Sequence, residues 1–130
     1  MAEKTKFWYL KNFNILDGVP EEQIKQLEKM ASMSQAKKHF PIYFPEQPSM
    51  NIFFLKEGHI KLSLLNEDGK EIIIDILGPG EMFGELALVD DEGRKEIAET
   101  LDDVMICSIS KKDFETLLRQ NPELKLRLTK

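Results

Sequence analysis

Two short runs of alternating hydrophobicity constrain the fold of this 130-residue chain more than any other feature. Residues 60–64 and 72–76 carry isoleucine or leucine at every second position, which is the side-chain period of a β-strand. The tetrapeptide NEDG at 66–69 lies between the runs and has the glycine of a tight connection. The pattern therefore predicts an antiparallel hairpin.

Strand-like patterning extends over about residues 33–109. Continuous apolar runs at 52–55 and 104–109 have the length of strands and predict strands that are buried on both faces. Three prolines within 41–50 cannot donate to a strand ladder, so that segment is confined to edges and turns. Many short strands separated by regular turns predict a mainly β fold, either a β-barrel or a jelly roll (double-stranded β-helix).

Helical patterns flank this β-roll on its N-terminal side, where we expect helices over about 7–31. The clearest runs from 20 to 31, because Pro20 suits a first helical position and the residues after it include two glutamates that favour a helix start. An apolar stripe then recurs at helical spacing, which predicts packing against the core. The stripe consists of Ile24, Leu27, Met30 and Ala31.

Further helices are predicted on the C-terminal side, over about 111–130. Ser110, with Asp113 three residues later, has the spacing of a capping box with the shorter acid. A second helix is predicted to start at Asn121-Pro122, with Leu124 and Leu128 on one face.

Composition limits the possible functions. At 42% apolar residues the chain is long enough for one domain over 1–130 and too short for two. The net charge of −5, with both signs mixed along the chain, argues against a nucleic-acid or membrane surface. The single cysteine, Cys107, permits no internal disulfide and fits the reducing cytoplasm, and no apolar run is long enough to span a bilayer.

The stretch GEMFGELALVDDEGRKEIA at 80–98 has the features of an anion site. Gly84 lets the backbone approach a bound group, and the apolar residues at 86–88 suit a short helical turn whose N–H groups point at an anion. Arg94 supplies positive charge, whereas Glu85 suits a hydroxyl donor such as that of a sugar. A ligand that carries both groups side by side is a nucleotide.

The sequence FGELAL at 83–88, with Arg94 ten residues after Gly84 and then Ala98, resembles the phosphate-binding cassette of cyclic-nucleotide-binding domains. The resemblance is to the sensor domain of bacterial transcription regulators of the cyclic-AMP receptor protein and fumarate-nitrate regulator (Crp/Fnr) type, and it covers nearly the whole chain. It implies a cyclic-nucleotide-binding jelly roll, a dimerisation helix that begins near Asn121, and a cyclic-AMP-like effector. DNA would be bound only through a downstream domain that this chain does not contain.

The resemblance also implies roles for individual residues. Leu86 and Ala87 would bind the cyclic phosphate through backbone N–H groups after Gly84, Glu85 would accept from the ribose 2′-hydroxyl, and Arg94 would pair with the phosphate. An alternative is that Glu85 and Arg94 pair with each other and no ligand is needed.

Three features depart from the family pattern. Lys95 and Glu96 stand where the family usually has small residues, and Glu46 stands where it commonly has a turn glycine. The loop Asp90-Asp91-Glu92 adds three carboxylates just before Arg94, which lower the local potential for an anion. Lys95 is a candidate replacement cation for the phosphate. Periodicity further suggests Leu62 and Ile74 as walls for a base, although core packing explains both equally well.

We expect neither enzymatic activity nor a metal or other cofactor. The histidines, His39 and His59, have no second ligand at metal spacing, and no nucleophile and base form a recognisable pair. The leading hypothesis is an effector-sensing domain of a homodimeric, cytoplasmic transcription regulator. Two alternatives remain open, namely a regulatory module that acts on a protein partner and a degenerate sensor without a nucleotide.

Overall fold

The structure, a computed structural model, describes residues 14–48, 50–84 and 96–128. Within these ranges eight strands form two four-stranded sheets in which every pairing is antiparallel. The mainly β class with flanking helices, predicted from the sequence, is confirmed. The strands are β1 (Ser32–Ala36), β2 (Pro41–Tyr43), β3 (Asn51–Glu57), β4 (Ile60–Leu65), β5 (Glu71–Leu77), β6 (Met82–Phe83), β7 (Ile97–Thr100) and β8 (Val104–Ser110).

The first sheet has the order β1-β8-β3-β6 and is here called the helix-covered sheet. Ile52 and Phe54 of β3 are fully buried in a core that the sheet shares with the helices, while Leu55 is fully buried in a second core. Strand β8 is likewise divided, with Ile106 in the second core and Ile109 in the first. The predicted burial of both faces is therefore observed in both strands.

The helices are a 3₁₀ helix (Asn14–Leu16), α1 (Glu21–Met30), α2 (Lys111–Gln120) and α3 (Glu123–Leu128). Helix α1 begins at Glu21, one residue later than expected, because Pro20 has the extended backbone of the residue that precedes a helix (ψ 140°). Of the predicted apolar stripe, Ile24, Leu27 and Ala31 are buried. Met30 is 52% exposed, so the prediction that it packs against the core is wrong. The predicted helical residues 7–13 lie outside the described ranges.

The two C-terminal helices are fixed by identifiable contacts. The Ser110 hydroxyl accepts from the backbone N–H of Asp113 at 3.1 Å, which is the N-cap contact that the sequence predicts. In α3, Leu124 is fully buried, and the Arg127 guanidinium donates to the carbonyls of Ile15 (2.8 Å) and Asp17 (2.6 Å). Helix α3 is thus tied to the N-terminal 3₁₀ segment. The side chain of Leu128 lies outside the described set.

The second sheet has the order β2-β7-β4-β5 and is here called the open sheet. It encloses the second core together with the inner face of the helix-covered sheet. The buried members of this core come from both sheets, so the two sheets form a roll around it. They are Tyr43, Leu55, Ile60, Leu62, Leu77, Phe83, Ala98, Val104 and Ile106.

The predicted hairpin is formed by β4 and β5, with its turn at 66–69. The Gly69 N–H donates to the Asn66 carbonyl at 3.0 Å, and the Asn66 side chain accepts from the N–H groups of Asp68 and Lys70, both at 2.9 Å. The pairing shifts register partway along: Leu62 lies opposite Asp75, whereas Ser63 lies opposite Ile73. This shift leaves one extra residue in β5, which is the arrangement of a β-bulge.

Candidate functional site

The described part of the candidate site begins at the end of β6. Phe83 is buried and stacks on Phe53 with ring centroids 5.0 Å apart. Gly84 follows with φ +78°, a left-handed backbone that side-chain-bearing residues adopt only with strain. This conformation favours glycine, while the predicted role of Gly84 beside a bound group stays a prediction.

Most of the predicted cassette falls outside the described residues. Glu85, Leu86, Ala87, Arg94 and Lys95 all belong to the range 85–95. Their roles in binding phosphate and ribose therefore stay predictions, as does the alternative pairing of Glu85 with Arg94.

The description resumes at Glu96, whose carboxylate has a defined partner. The hydroxyl of Tyr43 donates to Glu96 Oε1 at 2.7 Å, and the Tyr43 ring is only 4% exposed. Two residues further on, Ala98 is fully buried directly opposite Leu62. The Tyr43–Glu96 contact was not anticipated, because no signal in a single sequence connects two residues 53 positions apart.

The two predicted base-wall residues have different environments. Leu62 is 9% exposed and belongs to the core inside the roll, so its packing needs no ligand. Ile74 is the extra residue of the bulge opposite Leu62 and is 48% exposed. Both lie in the same hairpin, and a wall that combines them stays a prediction.

A polar network crosses the open sheet beside this hairpin. Lys61 Nζ lies 2.7 Å from Glu71 Oε1 and 3.5 Å from Glu99 Oε1, and the Ser63 hydroxyl donates to Glu71 at 2.8 Å. The hydrogen bond from Lys61, reinforced by that from Ser63, lowers the pKa of Glu71. The hydrogen bond to Glu71 raises the pKa of Lys61 against an opposing effect of burial. The network holds β4, β5 and β7 in register.

Both histidines have carboxylate neighbours. His59 Nδ1 lies 2.7 Å from Asp102 Oδ2, and Asp102 Oδ1 accepts from the His59 backbone N–H at 2.6 Å. These hydrogen bonds lower the pKa of Asp102. His39 Nδ1 lies 3.9 Å from Glu99. Within residues 14–48, 50–84 and 96–128, no three His, Cys, Asp or Glu side chains are grouped as ligands for a metal ion.

A groove of about 370 Å³ shares no residue with the predicted site. It is lined by Gln35, Ala36, Lys37, Glu57, Asp103, Val104 and Met105. Lys37 and Asp103 form an exposed pair at 3.5 Å on its wall. Because the lining mixes both charges, this groove has no concentrated field for an anion, and the stretch after Gly84 remains the better candidate.

Comparison with known proteins identifies relatives of two kinds. The chain is 26% identical over 110 residues to a CRP-like cAMP-activated global transcriptional regulator of Mycobacterium tuberculosis, with 85% of this chain and 49% of the regulator covered. It is 28% identical over 110 residues to a cAMP-dependent protein kinase regulatory subunit of Debaryomyces hansenii, with 85% of this chain and 24% of that subunit covered. The chain thus spans half or less of the length of these relatives.

The fold has solved counterparts. The sensor domain of the transcriptional regulator DNR from Pseudomonas aeruginosa superposes with a TM-score of 0.85 at 19% identity, over 92% of this chain and 81% of that one. This likeness confirms the jelly-roll architecture. None of the helices in the described ranges is both long and apolar enough to cross a membrane.

The family model of the cyclic nucleotide-binding domain matches residues 34–121, which include the whole of the predicted cassette. This match and the relatives confirm the resemblance to Crp/Fnr-type sensor domains that the motif around Gly84 indicates. The chain belongs to the cyclic nucleotide-binding domain family.

Proposed function

We propose that this chain is the effector-sensing domain of a Crp/Fnr-like bacterial transcription regulator and that its effector is a cyclic nucleotide such as cyclic AMP. The observation that carries the proposal is the family match over 34–121, a range that includes Gly84 and the rest of the predicted cassette. The function is regulatory and not enzymatic, and the protein acts in the cytoplasm as a homodimer.

In this proposal the phosphate is bound by the backbone N–H groups of Leu86 and Ala87 and by the guanidinium of Arg94, with Lys95 as a further cation. A guanidinium and a phosphate form a strong charge-assisted pair. Glu85 accepts a hydrogen bond from the ribose 2′-hydroxyl, and Leu62 and Ile74 border the base.

Binding would act by a population shift that couples the effector to the position of α3. The coupling free energy is expected to be about 1 to 3 kcal/mol. Because Arg127 ties α3 to the carbonyls of Ile15 and Asp17, a shift of α3 has to move or break these two hydrogen bonds. DNA binding would follow through a downstream domain.

The test is calorimetric titration of the 130-residue chain with cyclic AMP and cyclic GMP, for the wild type and Arg94→Ala. We expect saturable binding by the wild type and a loss of roughly 10- to 100-fold in affinity for the variant, since a hydrogen bond to a charged group contributes about 1.5 to 3 kcal/mol. Arg119→Ala is the matched control, because Arg119 lies on α2 and donates to its helix neighbour Thr116. Equal affinities for wild type and Arg94→Ala would remove Arg94 from the site.

A second candidate function is a regulatory module that acts on a protein partner. It is favoured by the similarity to the Debaryomyces hansenii kinase regulatory subunit, which covers 85% of this chain, as large a share as the match to the bacterial regulator covers. The sequence that follows residue 130 in the gene distinguishes the two, since a helix-turn-helix there supports the transcription regulator. Absence of nucleotide binding by a folded chain would favour a degenerate sensor.

A further inference from the structure

Strand β5 differs from the other strands that lie at the edge of a sheet. Among the described strands it pairs with β4 alone, so its second edge is open. Its first six residues are exposed, and four of them are isoleucines with exposed fractions between 48% and 56%. The other edge strands are shorter: β2 begins with Pro41, β6 has two residues, and three of the five residues of β1 are serine or glutamine. The segment 71–77 is thus the one long apolar edge in the described part of the chain.

An edge of this kind is a template for another strand. Segments of about five to seven residues with high β-propensity, low charge and no proline pair with copies of themselves when such an edge is open. The sequence EIIIDIL at 71–77 meets these conditions except for its two carboxylates. Glu71 is bound by Lys61 and Ser63 of β4, so Asp75 carries the one charge among residues 72–77. The strand that best matches this edge is therefore β5 of a second copy of the chain.

The Asp75 carboxylate also occupies a backbone donor of the same strand. The N–H of Ile76 donates to Asp75 Oδ1 at 2.8 Å, so this N–H is directed to a side chain and not to a strand. The bulge at Ile74 lies just before it and interrupts the regular spacing of strand hydrogen bonds. Both features act against the pairing that the isoleucines favour.

We propose that Asp75 protects the β5 edge against antiparallel pairing with β5 of a second copy. A two-fold arrangement of this kind brings the same apolar residues of both copies together. Pairing requires the Ile76 N–H to leave the carboxylate, and it brings two Asp75 charges, one from each copy, among isoleucines. The carboxylate thus makes the wrong contact costly and removes a donor from it. The inference goes beyond the proposed function and does not depend on a nucleotide.

The experiment measures self-association of the 130-residue chain by sedimentation equilibrium over a range of protein concentrations, without nucleotide. Asp75→Ala removes both the charge and the acceptor. We expect its weight-average mass at high concentration to reach about twice that of the wild type or more, since an open strand edge recruits a further copy. Asp75→Asn loses the charge but keeps an amide oxygen that can accept from the Ile76 N–H, so it should associate more weakly than Asp75→Ala.

Asp68→Ala is the matched control for charge. It removes an exposed aspartate from the turn of the same hairpin and should have the mass of the wild type at every concentration.

Two double variants test whether the contact is made by the β5 backbone. Asp75→Ala/Ile76→Pro removes the N–H at 76 and should restore the mass of the wild type, because proline cannot donate to a ladder. Asp75→Ala/Ile76→Ala shortens the same side chain but keeps the N–H, so it should still self-associate. In the wild type the Ile76 N–H donates to a side chain, so the proline takes no such donor away from β4. Circular dichroism checks that each variant is folded.

Several results would overturn the inference. An Asp75→Ala chain with the mass of the wild type at every concentration would show that the carboxylate does not protect the edge. Equal association of Asp68→Ala would assign the effect to net charge, and association of Asp75→Ala/Ile76→Pro as strong as that of Asp75→Ala would place the contact away from the β5 backbone. Equal association of Asp75→Asn and Asp75→Ala would remove the hydrogen bond to Ile76 from the mechanism. None of these results bears on nucleotide binding, so the proposed function is tested separately.

Discussion

The helix-covered sheet and the open sheet both contain strands rich in apolar residues, but these strands lie in different surroundings. In β3 of the first, Ile52, Phe54 and Leu55 are fully buried, because helices cover one face and the roll interior the other. In β5 of the second, the first six residues are exposed, and Ile73 and Ile76 are each more than half exposed. The first sheet is a scaffold, whereas the apolar side chains of β5 before Leu77 contribute little to either described core.

The side-chain contacts on the outer face of the hairpin in the open sheet are polar. Glu71 receives hydrogen bonds from Lys61 and Ser63 of β4, and the Asn66 side chain closes the turn. Such contacts fix register and direction, but an ion pair that solvent still reaches stabilises a fold only slightly. The comparison therefore assigns stability to the helix-covered sheet and to the core residues of the hairpin, namely Ile60, Leu62 and Leu77. It leaves the exposed part of β5, which carries Ile74, free to differ without loss of the fold.

The largest expected difference between the sheets is in the cost of removing an apolar side chain. Phe54→Ala deletes a fully buried ring that packs 6.0 Å from the ring of Phe114, and we expect it to lower the free energy of unfolding by about 3 to 5 kcal/mol. Ile73→Ala, at 56% exposure, is expected to cost about 0.5 kcal/mol or less. Urea unfolding followed by circular dichroism measures both.

Similar losses of unfolding free energy for Phe54→Ala and Ile73→Ala would contradict the division between the buried scaffold and the exposed part of β5. Leu55→Ala is a useful addition, because Leu55 is fully buried in the other core. We expect Leu55→Ala to lower the free energy of unfolding by about 2 to 5 kcal/mol. Because Leu55 lies in the second core and Phe54 in the core shared with the helices, the two variants together separate the effect of burial from the effect of helix contact.

The sequence predicted the scaffold better than the site, for physical reasons. Strand β3 and the Ser110 cap depend on local pattern, which a single sequence contains. Exposure of the β5 isoleucines depends on what covers them, and the bulge at Ile74 depends on pairing with β4; alternation along one strand reports neither. Likewise the Tyr43–Glu96 contact arises from the pairing of β2 with β7, which is long-range.

A smaller effect is expected at the turn that joins β2 of the open sheet to β3 of the helix-covered sheet. Glu46 has φ +70°, a left-handed backbone that favours glycine. Glu46→Gly removes strain of roughly 1 to 2 kcal/mol but adds freedom to the unfolded chain, so we expect a net gain of about 0.5 to 1 kcal/mol. Thermal unfolding should remain one transition at a higher midpoint, since the turn links both sheets.

The matched reverse change is Gly69→Ala in the hairpin turn. Gly69 has φ +79°, and a Cβ there would meet no atom within 4 Å, so only backbone strain is introduced. It should lower stability by about 1 kcal/mol. An unchanged midpoint for Glu46→Gly, together with a lowered one for Gly69→Ala, would show that the Glu46 side chain compensates for its backbone.

The smallest effect concerns the ion pair that holds the hairpin, and it is read from pH dependence. Because the folded-state pKa of Glu71 is lowered, the pair contributes stability above the ordinary glutamate value of 4.5 and loses it as pH falls through the lowered pKa. Because the pKa of Lys61 is raised, the contribution is present below 10.5 and is lost as pH rises through the raised pKa. Between these limits it is constant. The measurement is the difference in unfolding free energy between the wild type and Glu71→Gln, which should be flat near neutral pH and vanish in acid. Glu67→Gln at the exposed hairpin turn is the control and should change stability little at neutral pH. A Glu71→Gln difference that persists in acid would show that Ser63 and shape, not charge, hold the two strands together.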